Sequence, residues 1–183
     1  MALLPALIVV SGPPGTGKTT LAHAIARGVG CPAVCRDEIK EGMAHAVPGF
    51  EPGPADELTL RTLPLFFSVL EVLLLAGVTT VAEAAFQDRI WRPSLTPLLG
   101  LARLRVVHCS ARPEAAFDRM TRRRADSASR RAHPDPGPAG QAGYLRLVDG
   151  FDRLRIDAPS IEVDTTSGYR PGLDEVIAFA GGR

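Results

Sequence analysis

The chain has 183 residues, a formal net charge of +1 and 45% hydrophobic residues, enough for one domain with a substantial buried core. The near balance of charge argues against a dedicated polyanion-binding surface, while leaving room for a local basic patch. Cys31, Cys35 and Cys109 are odd in number and lack a paired C-x-x-C or a His cluster. They therefore read as small core residues of a reducing cytoplasm and not as a zinc site.

The first predicted element is a strand over Ala6–Val10. The stretch before it has no basic region and leads directly into the next motif, which argues against a signal peptide. Gly12 to Thr19 read G-P-P-G-T-G-K-T, a complete match to the phosphate-binding P-loop. A helix is predicted over Lys18–Gly28. Glycines in such a loop let the backbone turn its N–H groups onto phosphate oxygens, and the following helix points its positive end at the anion. Gly12, Pro13, Pro14, Gly15, Thr16, Gly17, Lys18, Thr19 and Thr20 are the expected donor-binding residues, with Lys18 on the β- and γ-phosphates and the Thr19 hydroxyl on Mg2+. Of the 21 basic residues only Lys18 and Lys40 are lysines, so a point charge stands at this position in a chain that otherwise uses arginine. These features predict binding of a nucleoside triphosphate.

Further strands are expected at Pro32–Arg36, Thr79–Ala84, Leu104–Cys109 and Ser160–Val163. Helices are expected at Asp37–Ala46, Ala55–Ala76, Ile90–Ala102, Pro113–Arg124, Ala142–Arg155 and Leu173–Ala180. Nearly continuous apolar strands alternating with helices predict a parallel sheet covered on both faces. The Leu65–Ala76 stretch is apolar but short and interrupted by Ser68 and Glu71, a buried helix and not a membrane span. Two stretches break the alternation: the Pro/Gly-rich loop Val47–Pro54, and Asp126–Gly143, which reads as a mobile lid or as disorder.

Asp37 ends the second predicted strand, where ligands collect in open α/β sheets. It is either a carboxylate that activates or orients an attacking hydroxyl, or the N-cap of the next helix. Glu83 is a charge late in an apolar strand and needs a partner, with Arg89, the acceptor and a Mg2+-bound water as the candidates. Glu38 and Glu41 are assigned to a solvated helix face. Arg119, Arg122, Arg123, Arg124, Arg130 and Arg131 form the densest charge cluster, with Arg119 and Arg123 on one helical face. Such a cluster serves as a lid that stabilises a transferring phosphoryl group, as a solvated face, or as an RNA contact. His133 reads as a loop residue. Trp91, Phe86 and Phe50 wall an acceptor pocket or pack in the core.

The opening S-G-P-P-G-T-G-K-T-T-L-A, the strand ending R-D-E-I at Arg36–Ile39, and the Arg-rich helix running into H-P-D before a final D-T-T-S carry a resemblance that spans essentially the whole chain. The protein resembles the small P-loop kinases of the adenylate-kinase-like, zeta-toxin-like and chloramphenicol-phosphotransferase-like group. That resemblance implies a three-layer α/β/α domain over residues 1–183, with a five-stranded parallel sheet and a lid within 119–143. It further implies Mg2+-dependent transfer of the γ-phosphoryl group of ATP to the hydroxyl of a small molecule such as an antibiotic, a sugar or a nucleoside. Lys18, Asp37, Arg119 and Arg123 are the expected catalytic residues, and Asp37, Glu83 and Arg89 the expected acceptor-binding residues. Helix residues Leu63–Leu75 and the Pro/Gly loop would give the acceptor an apolar wall. No membrane partner is expected, and nucleic acid is disfavoured by the charge balance. Two rivals are a polynucleotide-end kinase and a nucleotide-sensing module without transfer. The first requires a basic, aromatic-lined channel, and the second has no need of Asp37 or an arginine lid.

Overall fold

The computed structural model describes residues 3–53, 55–126, 132–133 and 140–182. Strands β1 (Ala6–Ser11), β2 (Ala33–Cys35), β3 (Thr80–Glu83), β4 (Arg103–Ser110) and β5 (Ser160–Asp164) form one parallel sheet in the order β2-β3-β1-β4-β5. Among the described residues there are seven α-helices: α1 (Lys18–Val29), α2 (Arg36–His45), α3 (Glu57–Leu75), α4 (Asp88–Leu95), α5 (Pro113–Asp126), α6 (Gly140–Asp149) and α7 (Leu173–Gly181).

The central strand β1 is buried along its whole length, and its side chains alternate between two cores. Leu7 and Val9 face Phe66 and Leu70 of α3 and Trp91 of α4. Ala6, Ile8 and Val10 face Leu21 and Ile25 of α1 and Val176 and Ala180 of α7. The result is the expected three-layer α/β/α sandwich. By length and composition alone α3 is the one described helix apolar enough to cross a membrane, yet it packs Leu58, Phe66, Phe67, Leu70 and Leu74 into the core. Phe86 and Trp91 also belong to that core, in a cluster with Phe66 and Phe67 whose ring centroids lie 5.0–6.0 Å apart.

Three predicted boundaries move. Helix α2 begins at Arg36, so β2 ends at Cys35 and Asp37 lies in the first helical turn; Cys35 is the N-cap. The predicted Ile90–Ala102 helix divides into α4 and a 3-10 turn over Thr96–Gly100 with Pro97 near its start, because proline cannot donate into a continuing α-helix. The predicted Ala142–Arg155 helix stops at Asp149. Beyond it the Asp152 carbonyl accepts from Asp88 N–H at 2.8 Å, and the Asp88 carboxylate accepts from Arg155 N–H at 2.8 Å. These bonds hold the following segment extended against the start of α4, and Leu154 is buried there.

Candidate functional site

The phosphate loop leaves the carboxyl end of β1 and runs into α1. Its shape demands glycine at two close approaches. A Cβ at Gly12 (φ 151°) would stand 2.3 Å from the Cys109 carbonyl oxygen, and one at Gly15 (φ 79°) 2.4 Å from that of Ala116. Neither gap admits a side chain, so the loop can sit this close to β4 and α5 only with bare backbone. Thr16 Oγ1 donates to Pro13 O at 2.8 Å, and Lys18 Nζ donates to the same carbonyl at 2.9 Å. That contact uses one of the three donors of the ammonium. No acidic residue occupies the first turn of α1, so its positive end is free to meet an anion.

Three other parts of the chain brace this loop. The Thr165 hydroxyl, just past β5, donates to Thr16 O at 2.7 Å. Arg119 on α5 donates to Thr165 O at 2.6 Å, to Thr166 O at 2.9 Å and to Thr165 Oγ1 at 3.2 Å. The Tyr144 hydroxyl on α6 donates to Pro14 O at 2.7 Å. Arg119 is thus committed to shaping the loop floor, and Arg123 follows one turn later on α5. The side chain of Arg124, and Arg130 and Arg131, lie outside the described residues, as does most of the segment expected to form a lid. The D-T-T-S motif signals Thr165 in the sequence; nothing in the sequence signals Tyr144.

Two carboxylates share the Lys18 field, one at the end of β3 and one in the first turn of α2. Glu83 closes β3, buried beside β1 in register with Val10. Its Oε2 accepts from Thr19 Oγ1 at 3.1 Å. Desolvation raises the Glu83 carboxyl above its ordinary value, and the nearby Asp37 and Glu38 charges add to the rise while Lys18 and Thr19 oppose it. Asp37, exposed on the first turn of α2, accepts from Arg36 at 2.9 Å. Desolvation raises Asp37 too, but the charges of His133, Arg36 and Lys18 and the Arg36 hydrogen bond outweigh it and hold the carboxyl below its ordinary value. Asp37 therefore stays ionised and weakly basic, while its neighbour holds a proton more readily.

Arg89 is not the partner of Glu83. It stands in the first turn of α4, largely solvent-exposed, and pairs with Asp152 at 3.2 Å. The face assigned to Glu38 and Glu41 is only partly solvated: Glu38 pairs with His23 at 2.7 Å and Glu41 with His133 at 3.2 Å.

A glycine-shaped phosphate loop at the carboxyl edge of a parallel α/β/α sheet defines a P-loop nucleotide-binding protein of kinase-like architecture. The family described as an AAA domain matches residues 7–135, and the chain belongs to that family. Among solved structures it is similar to that of a putative kinase from Chloroflexus aurantiacus, with a TM-score of 0.83, 24% identity and 95% of each chain covered. It is also similar to a shikimate kinase from Acinetobacter baumannii (TM-score 0.65, 19% identity, 96% of this chain and 92% of that one). A sugar kinase from Janibacter aligns at TM-score 0.61 and 22% identity, over 97% of this chain and 96% of that one. These likenesses are likenesses of fold. No curated protein matches the chain.

Proposed function

We propose that this protein is an ATP-dependent phosphotransferase that moves the γ-phosphoryl group to a hydroxyl of a small molecule, an antibiotic, sugar or nucleoside being the acceptor class. The observation that carries this reading is the pair of carboxylates, Asp37 and Glu83, that flank Lys18 beside a complete phosphate loop. Holding a nucleotide needs the loop and the lysine; two carboxylates of different basicity, Glu83 buried and Asp37 exposed, add what transfer needs.

The amides of Gly12–Thr20 and the Lys18 ammonium bind the phosphate chain. Thr19 and Glu83 offer the hard oxygen donors that Mg2+ prefers, directly or through water, and a cation there relieves the desolvated Glu83 charge. Mg2+ held by these two residues would supply positive charge opposite the transferring group. Asp37 orients the acceptor hydroxyl and takes its proton late, in keeping with its low basicity and with a loose transition state that asks little of a base. Arg119 fixes the loop, and Arg123 carries positive charge along the same helix. Arg89, at the exposed start of α4, contributes to the acceptor side. The shared fold of a sugar kinase and a shikimate kinase supports a small-molecule acceptor.

The test is ADP release with ATP and Mg2+ against a panel of sugars, hydroxy acids, nucleosides and hydroxylated antibiotics, with a 5′-hydroxyl oligonucleotide as the rival acceptor. Release should depend on one small acceptor. Lys18→Ala should abolish it. Asp37→Asn should keep ATP binding by calorimetry and cut transfer by roughly 10²–10⁴-fold, the range of a positioned general base. Undiminished transfer in Lys18→Ala, or no acceptor-dependent release across the panel, overturns the reading.

A further inference from the structure

One turn along α1 from Thr19, and away from the phosphate loop, a second group of side chains converges. His23 on α1, Cys35 at the end of β2 and Glu38 in the first turn of α2 each present one donor atom, and the three atoms lie within 4.8 Å of one another. His23 Nε2 is 2.7 Å from Glu38 Oε1 and 3.8 Å from Cys35 Sγ. We infer that these three residues form a binding site for a divalent cation of the Zn2+ class, distinct from the Mg2+ position at Thr19 and Glu83.

The donor set and its spacing both favour such an ion. A tetrahedral ion with sulfur at about 2.3 Å and nitrogen at about 2.0–2.1 Å keeps those two ligand atoms roughly 3.5 Å apart, close to the separation present here. Insertion of the ion asks the Glu38 carboxylate to withdraw from His23 by about 0.7 Å, and that side chain is half exposed. Sulfur, imidazole nitrogen and one carboxylate oxygen suit Zn2+; the all-oxygen pair at Thr19 and Glu83 suits Mg2+. The three ligands are also preset. Cys35 is buried and fixed by its pairing with Glu83 across the sheet, while His23 and Glu38 sit on helices that pack against β2. His23 and Glu38 are partly exposed, and His23 also borders an open groove of about 440 Å³ beside Arg27, Cys31 and Ala33, so solvent reaches two of the three ligands. No local motif announces the site, because its ligands come from three different elements, and the sequence reading against zinc rests on local spacing.

Binding converts the Cys35 thiol to a thiolate and releases its proton to the buffer; His23 coordinates as neutral imidazole and Glu38 as carboxylate, with no change of oxidation state. The occupied site would fasten the helix after the phosphate loop to the helix that carries Asp37.

The experiment uses the full chain, stripped with a chelator and free of nucleotide, titrated with Zn2+ by calorimetry and with Co2+ by absorbance. One ion per chain should bind, and Co2+ should give a thiolate-to-metal charge-transfer band. Cys35→Ala should lose the band, and His23→Ala should weaken Zn2+ binding by at least about 100-fold, beyond the loss that follows removal of a supporting partner. Thr19→Ala should leave both readouts unchanged. If Cys35→Ala fails to fold, His23→Ala and Glu38→Ala, at partly exposed positions, carry the test. A wild-type chain without the band, or a His23→Ala chain that binds Zn2+ as tightly as wild type, overturns the inference. Neither readout involves ATP or an acceptor, so the outcome is independent of whether the protein proves to be a kinase.

Discussion

Glu83 shows how a single side chain can serve a site at the expense of the fold. Its carboxyl is buried, desolvated and raised above the ordinary 4.5, so the ionised form is favoured less in the folded chain than in the unfolded one. A raised acid contributes stability below its unfolded pKa, and that contribution disappears as pH rises through the folded pKa. Glu83→Gln keeps an acceptor for the Thr19 hydroxyl and removes the buried charge. The variant should therefore melt higher than wild type at neutral pH. The gain should vanish as pH falls below 4.5, and Mg2+-dependent turnover should drop. Thermal scans at several pH values read the first two effects; a variant less stable than wild type at neutral pH would show that the Thr19 and Lys18 contacts outweigh desolvation. At this scale the loop glycines, Lys18, Thr19 and the strand-end position of Glu83 were legible, because each is a local pattern. The contacts of Arg119 were not. Its partners are backbone carbonyls 46 and 47 residues away, which no spacing rule connects.

At the scale of elements, α2 and α3 are joined by one buried ion pair. Lys40, the second lysine of the chain, is 1% exposed and lies 2.8 Å from Asp56. Its ammonium also stands 5.8 Å from the centre of the Phe50 ring. Asp56 simultaneously caps α3, accepting from Thr59 N–H at 2.7 Å and from Gly53 N–H at 3.1 Å. Burial alone would raise its carboxyl; Lys40 and these backbone donors pull it down to about 2. Asp56→Ala removes the cap and strands a buried cation, so it should cost about 3–5 kcal/mol. Asp56→Asn keeps one acceptor oxygen for the capping bond from Thr59 N–H and should cost distinctly less. Urea unfolding of both variants makes the comparison, and equal losses would mean that the charge facing Lys40 matters and the cap does not. The helix itself was legible from its apolar period, whereas the role of Lys40 was not, since its burial depends on how α2 lies on α3. The end of α4 failed for a related reason: Pro93 is accommodated within the helix and Pro97 is not, and only packing decides between them.

Across the whole molecule the fold class and all five strands were readable from alternating apolar runs, but the order β2-β3-β1-β4-β5 was not, because periodicity says which segments are strands and nothing about their neighbours. That order buries His108 of β4 beside Ser11 of β1 and Glu162 of β5. Desolvation, helped by the charge of Arg153, lowers its pKa from 6.5 to about 4. A group depressed in the folded state supplies stability above its unfolded pKa and withdraws it as pH falls towards the folded one. The folded protein should thus lose up to about 3 kcal/mol between pH 6.5 and 4 from this residue. His108→Leu should flatten that limb of the stability curve relative to wild type in urea titrations. Parallel curves for the two proteins would remove His108 from the acid response.

The central strand has a further consequence for how the protein is made. β1 precedes both of its sheet partners in the chain, and β3 and β4 follow roughly 70 and 100 residues later. During synthesis at about 5–20 residues per second the segment Ala6–Val10 therefore spends several seconds as an apolar ribbon without a sheet, a natural client for a ribosome-associated chaperone. Nucleotide competence comes later still. The Thr16 carbonyl waits for the hydroxyl of Thr165, a contact that spans 149 positions. A nascent chain arrested before β5 should hold the whole G-x-x-x-x-G-K-T motif and still bind nucleotide poorly, so possession of the signature and possession of the site are separated in time.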